Sequence, residues 1–97
     1  MKSVIFSVKA ESDLEQISDY IAKDNPHRAL SFIRQLRVQC RKLEQFPKSH
    51  RRFPELGPTA HIMPCGKYVM LHRVREEYVS MERILHGGRD ILPLIGG

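Results

Sequence analysis

Ninety-seven residues, 41% hydrophobic and 28% charged, suit one folded unit around a single modest core, here expected to span residues 1–97. That composition excludes disorder as the main state, and the length leaves no room for a separate cofactor domain. The formal net charge is +5 and unevenly placed, with four bases against five acids over residues 1–33 and twelve against six over residues 34–97; such asymmetry points to an anionic partner for the second part of the chain.

Residues 3–8 (SVIFSV) predict a strand, being rich in β-branched and aromatic side chains. Ala10, Leu14, Ile17 and Ile21 then recur at steps of four, three and four, the stripe of an amphipathic helix. Glu11, Asp13 and Glu15 lie in its first turns, where the helix dipole favours negative charge. Asn25-Pro26 ends this helix near Asp24 and starts the next, since Asn caps well and proline is tolerated at the first helical position. Ala29, Phe32 or Ile33, Leu36, Cys40, Leu43 and Phe46 form the second stripe, ended by Pro47, with Arg34, Arg37, Arg41 and Lys42 opposite. So short a link makes the two helices an antiparallel hairpin.

Residues 47–58 hold three prolines and a glycine and read as a loop. Strands are expected at Ala60–Met63, Lys67–Val74 and Tyr78–His86, separated by hairpin turns at Pro64-Cys65-Gly66 and Arg75-Glu76-Glu77. After Gly87-Gly88, the segment RDILPLI reads as a last strand or an apolar docking tail. The expected architecture is α+β in the order β-α-α-β-β-β: an N-terminal helical hairpin packed on a small antiparallel sheet.

Few residues suggest chemistry. Cys40 and Cys65 do not make a disulfide framework, and no His or Cys pair has zinc-ligand spacing, so no metal or cofactor is expected. No apolar run approaches the roughly 18 residues of a membrane span. The N-terminal segment turns acidic too soon for a signal peptide, so a cytoplasmic protein with reduced thiols is expected. Nucleophile elbows and phosphate-binding glycine loops are missing. The remaining constellation is Arg73, Arg83, His86 and Arg89 with His50, Arg51, Arg52 and Glu55 from the loop. Metal-free RNA cleavage needs a base, an acid and cations on the phosphate, and these residue types could supply them. Arg73 and Arg83 both lie within expected strands, however, so alternation decides the face of each and one of them could simply cover the sheet. Between Arg34 and Arg52 stand seven bases and one acid, Glu44, which reads as a solvated face; Phe46 and Phe53 read as core or loop anchors.

The segments DLEQISDYIAKDNPHRALSFI, CRKLEQFP, RRFPELG, KYVMLHRV and VSMERILHGGRDI together resemble the ParE branch of the RelE/ParE toxin superfamily, over residues 4–91. The closing pattern Arg-Ile-Leu-His-Gly-x-Arg-Asp at Arg83–Asp90 is the most specific part. Relatives often read Tyr-x-x-x-Tyr-Arg-Val in the third strand, where this chain has His72 for the second tyrosine. The resemblance implies the toxin of a bacterial type II toxin–antitoxin pair, with two activities on one scaffold. ParE-like members poison DNA gyrase by stabilising its complex with cleaved DNA, which requires no catalytic residue of the toxin. RelE-like members are ribosome-dependent mRNA endonucleases, for which His86, Arg83 and Arg73 would be the catalytic set here. A third reading is a non-toxic module that only binds antitoxin. For gyrase the expected target-binding residues are Arg51, Arg52, Arg73, Arg83, His86, Arg89 and Asp90. The resemblance also implies a ParD-like antitoxin with an acidic C-terminal segment, bound in a hetero-oligomer. Leu30 and Val38, off the main helical stripe, and Ile91, Leu92, Leu94 and Ile95 are its expected contacts.

Overall fold

The computed structural model describes residues 2–88. Its elements are β1 (Ser3–Phe6), α1 (Val8–Asp24), α2 (Pro26–Gln45), β2 (Arg51–Arg52), a 3-10 turn (Pro54–Leu56), β3 (Ala60–Cys65), β4 (Tyr68–Val74) and β5 (Tyr78–His86). Helices and C-terminal strands fall where periodicity predicts them, in an α+β order. The predicted tail, RDILPLI, lies outside the described residues.

Local capping sets the helix limits. β1 stops at Phe6, short of the predicted residue 8, because Ser7 caps α1: its Oγ accepts from the Ala10 N–H at 3.0 Å. Asn25 serves both helices. Its N–H donates to the Ile21 carbonyl at 2.9 Å, closing α1, while its Oδ1 accepts from the Arg28 N–H at 3.2 Å, opening α2. Replacing Asn25 by Ala should lower stability by about 1 kcal/mol, read as a shift of the urea midpoint with unchanged slope.

The sheet has the order β1-β5-β4-β3-β2. It corrects the expected antiparallel sheet in one respect: β1 pairs with β5 in parallel, from Ser3 opposite Tyr78 to Phe6 opposite Met81. Alternating side chains encode which face a strand buries but not the direction of its partner. The β3–β4 hairpin also differs. Pro64 and Cys65 belong to β3, and Gly66, at φ 59°, supplies the positive-φ residue that a two-residue turn needs. Proline is tolerated at 64 because β2 pairs only with Ile62 and His61, so β3 is an edge strand there.

The helices cover one face of the sheet. Phe32, Leu36, Leu43 and Ala10 meet Met63, Cys65, Met70, Met81 and Ile84 in one buried cluster, with Leu14, Ile17, Ile21 and Cys40 at its margin. Methionine adapts to irregular gaps, which suits a core whose sheet side is largely Met. Two apolar residues, Val8 of the expected first strand and Phe46 of the expected second stripe, stay outside this core. Val8 is 83% exposed at the first turn of α1, and Phe46 is 63% exposed at the C-cap of α2. At φ −131° and ψ 67° the chain at Phe46 has left helical geometry, so the three-residue step from Leu43 no longer points inward.

Candidate functional site

β1 ends opposite Met81, but β5 continues to His86, leaving its outer edge without a strand partner among the described residues. The start of α1 fills that gap. Ser7 Oγ donates to the Glu82 carbonyl at 2.8 Å, and Asp13 Oδ2 accepts from the Ile84 N–H at 3.0 Å. The same Asp13 carboxylate takes a two-pronged contact from Arg83, Nε to Oδ2 at 2.8 Å and Nη2 to Oδ1 at 3.1 Å. Both side chains are more than four-fifths buried. The hydrogen bonds to Asp13 hold the Arg83 guanidinium above its ordinary range, so it stays charged at any relevant pH.

Arg73, on β4, has partners of its own. A bulge at Glu82, where Leu71 faces Arg83 but His72 faces Met81, turns the Glu82 carboxylate toward it. Arg73 Nε meets Glu82 Oε1 at 3.1 Å, and its Nη1 donates to the Leu56 carbonyl at 2.7 Å, tying the 3-10 turn to the sheet. Ser80 Oγ donates to the second Glu82 oxygen at 2.7 Å.

His86 lies at the far end of β5. It sits opposite Tyr68, in edge-to-face contact at 5.6 Å between ring centroids, and its Nδ1 accepts from the Gly88 N–H at 3.2 Å. His86 and Arg83 share an open cleft with Asp13, Tyr20 and Lys67. Arg73 does not reach it, because Arg73 stands five positions beyond Tyr68 on β4, a span of about 17 Å. The residues expected to form a nuclease set therefore do not converge.

The loop after α2 gathers other residues. Arg51 and Arg52 are exposed on β2, whose backbone is held by Ile62 and His61 of β3. Beneath them three histidines meet, which their spacing in sequence does not suggest. His61 and His72 stack at 5.6 Å with rings 15° from parallel, and His50 approaches His72 edge-on at 6.1 Å. His61 Nδ1 donates to the His50 carbonyl at 2.9 Å. His72 is fully buried, its Nδ1 faces the Met70 carbonyl at 3.4 Å, and its Nε2 has no partner. Burial lowers its pKa from 6.5 to about 4, and His61 and His50 push the same way. Parallel rings cannot aim their lone pairs at one ion, and among the described residues no group of three ligating side chains is arranged for a metal.

The cysteines offer no reactive thiol. Burial, aided by Cys65, pushes Cys40 up to about 11, and burial also raises Cys65. On the outward face of α2, Leu30 and Val38 are 54% and 46% exposed, beside exposed Arg34, Arg37 and Arg41. Arg89, Asp90, Ile91, Leu92, Leu94 and Ile95 lie outside the described residues. Within these, no helix is long and apolar enough to cross a membrane.

The model of one protein family, described as the ParE toxin of type II toxin-antitoxin system, parDE, matches residues 4–91. The chain belongs to the ParE toxin family. A solved structure described as "Chromosomal ParDE TA system from P. aeruginosa" contains a chain 24% identical to this ParE-family protein. It superposes with a TM-score of 0.73 over 89% of this chain and 96% of that one. At that identity the likeness shows the ParE-type fold. No curated protein matches the sequence.

Proposed function

We propose that this ParE-family toxin acts by binding DNA gyrase and stabilising its complex with cleaved DNA, and that a ParD-like antitoxin with an acidic C-terminal segment neutralises it in a hetero-oligomer. Family membership supports the toxin role. The observation that favours binding over catalysis is the use of Arg73 and Arg83. Each is held in an ion pair of the fold, and Arg73 lies remote from His86. A metal-free nuclease needs its cations and its proton-transfer groups around one phosphate. On this reading the chemistry belongs to the target, and the exposed Arg51 and Arg52 contribute to the contact.

The antitoxin reading draws on the charge of +5 and on α2. Leu30, Arg34, Arg37, Val38 and Arg41 recur at helical spacing, alternating apolar anchors with cations. This suits an amphipathic acidic helix or strap folding along the toxin. The match described as a ParDE system is consistent with such a partner. Arg89, Asp90 and the aliphatic residues Ile91, Leu92, Leu94 and Ile95 are assigned to the target and antitoxin contacts on their sequence alone.

The test is a supercoiling assay with purified gyrase, plasmid and antitoxin-free toxin. Inhibition with accumulation of linear, protein-linked DNA is expected, whereas unimpaired supercoiling by a folded, growth-inhibiting toxin overturns the proposal. His86→Ala should reduce inhibition by less than about tenfold. A nuclease relying on His86 for proton transfer would instead lose about 10²–10⁴-fold on translating ribosomes.

A further inference from the structure

The exposed Phe46 stands among cations. Lys42 precedes it by one helical turn, Lys48 follows in the next bend, and Arg51 and Arg52 project from β2, all exposed. Neither ion pair found among the described residues involves these four side chains. Ser49 turns back onto the Phe46 carbonyl, which keeps the start of β2 beside the end of α2. Over residues 41–52 there are five bases and one acid, the half-buried Glu44.

The framework under this patch is fixed. The Phe46 N–H donates to the Lys42 carbonyl at 2.8 Å, and the Phe46 carbonyl accepts from Ser49 N and Oγ at 3.2 and 2.8 Å. Lys2 N donates to the Glu44 carbonyl at 3.0 Å, so carbonyls at the negative end of the α2 dipole are already occupied. His61 holds the His50 carbonyl, and Phe53 N donates to Ala60 O at 2.8 Å, fastening β2 at both ends. Phe46 is therefore displayed, with its backbone pinned on both sides and no core place for the ring.

We propose that Lys42, Phe46, Lys48 and Arg52 form a contact surface for single-stranded DNA, the cations on phosphates and the Phe46 ring stacked on one unpaired base; Arg51, opposite Ile62, leaves β2 on the other face. An acidic amphipathic helix would need several apolar anchors at helical spacing, which the Leu30–Val38 stripe has and this patch lacks. A lone ring within a cluster of unneutralised cations fits a strand whose bases are unpaired, since stacking uses one ring face and the backbone supplies the charge. The proposal rests on the gyrase reading only for the source of such a strand, the DNA opened in the target.

The experiment measures binding of labelled oligo-dT to full-length, antitoxin-free toxin by fluorescence anisotropy across a salt series, beside duplex DNA and oligo-rU. Oligo-dT should bind more tightly than duplex. Phe46→Ala should weaken it about tenfold, while Phe46→Trp keeps the affinity. Arg52→Ala should reduce the salt slope by about 0.7, and Arg51→Ala, on the opposite face of β2, should leave it unchanged. Undiminished binding by Phe46→Ala, tighter binding of duplex or of oligo-rU, or no binding at low salt overturns the proposal. A parallel supercoiling assay keeps the two readings apart. Gyrase inhibition without single-strand binding sinks this surface alone, and Phe46-dependent binding without inhibition sinks the gyrase reading alone.

Discussion

Asp13→Ala should lower the stability of this chain by about 3 kcal/mol, the largest effect expected of any side chain outside the core. Asp13 accepts three hydrogen bonds, two from Arg83 and one from the Ile84 backbone. Removing it orphans the Ile84 N–H on the edge of β5 that β1 does not cover, and takes from Arg83 its carboxylate partner in a site with 13% and 19% side-chain exposure. Breaking a buried pair from one side costs about 3–5 kcal/mol, and partial exposure places this one at the lower end. For a domain of this size, the thermal midpoint should fall by about 12–24 °C. Arg83→Met in the Asp13→Ala background should recover part of the loss, because it removes the charge left behind. A loss below about 1 kcal/mol for Asp13→Ala would falsify this account and reduce the contact to a surface ion pair. The pair also governs how activity data are read. An Arg83 variant that loses toxicity reports on the gyrase contact only if its unfolding free energy is measured alongside.

What was legible in the sequence is local. Asn25-Pro26 marks two helix ends because capping chemistry acts within three residues, and the steps of three and four mark the buried stripes because the helix repeat is itself local. The face on which Leu30 and Val38 lie follows from the same repeat, and the structure leaves both exposed as that reading requires. The illegible parts are relations between distant segments. Asp13 reads from sequence as an acid suited to the helix dipole; its partner is seventy residues away in sequence and reaches it only because β1 stops short of the end of β5. Arg73 and Arg83 look like a pair because they are ten residues apart on neighbouring strands. Arg73 instead takes the carboxylate of Glu82 at the bulge, while Arg83 turns to Asp13 of α1. Phe46 misleads for the opposite reason, since its spacing continues a stripe that the chain has already left. The three histidines come together only through the β3–β4 register, which sets His61 beside His72, and through the short β2 that lays His50 over both.

That histidine group carries the second large prediction, a loss of stability on mild acidification. The sign follows from which state takes the proton. An unfolded chain binds a proton at His72 near the ordinary value of 6.5, whereas in the folded protein burial lowers that value to about 4. Between these limits the unfolded state holds more protons, so stability contributed by neutral His72 is fully present above pH 6.5, falls with pH through the window, and is gone below about 4. A shift of this size corresponds to about 3 kcal/mol. His50 shifts in the same direction, lowered by burial first and then by His61 and Lys42, and so adds to the slope. His61 from β3 acts against the proton on both His72 and His50, His50 from the loop against that on His72 and Lys42 from α2 against that on His50, with the Met70 carbonyl alone favouring the proton on His72. Urea unfolding of wild type and His72→Leu at steps from pH 7 to 4 isolates the contribution, because ordinary carboxylate titrations cancel in the difference. His72→Leu fills a similar volume and removes the unpartnered Nε2, so its cost at pH 7 should stay below about 1.5 kcal/mol. Its stability should then overtake that of wild type as the pH falls toward 4. Parallel curves for the two proteins would show that His72 is not the group whose protonation weakens the fold.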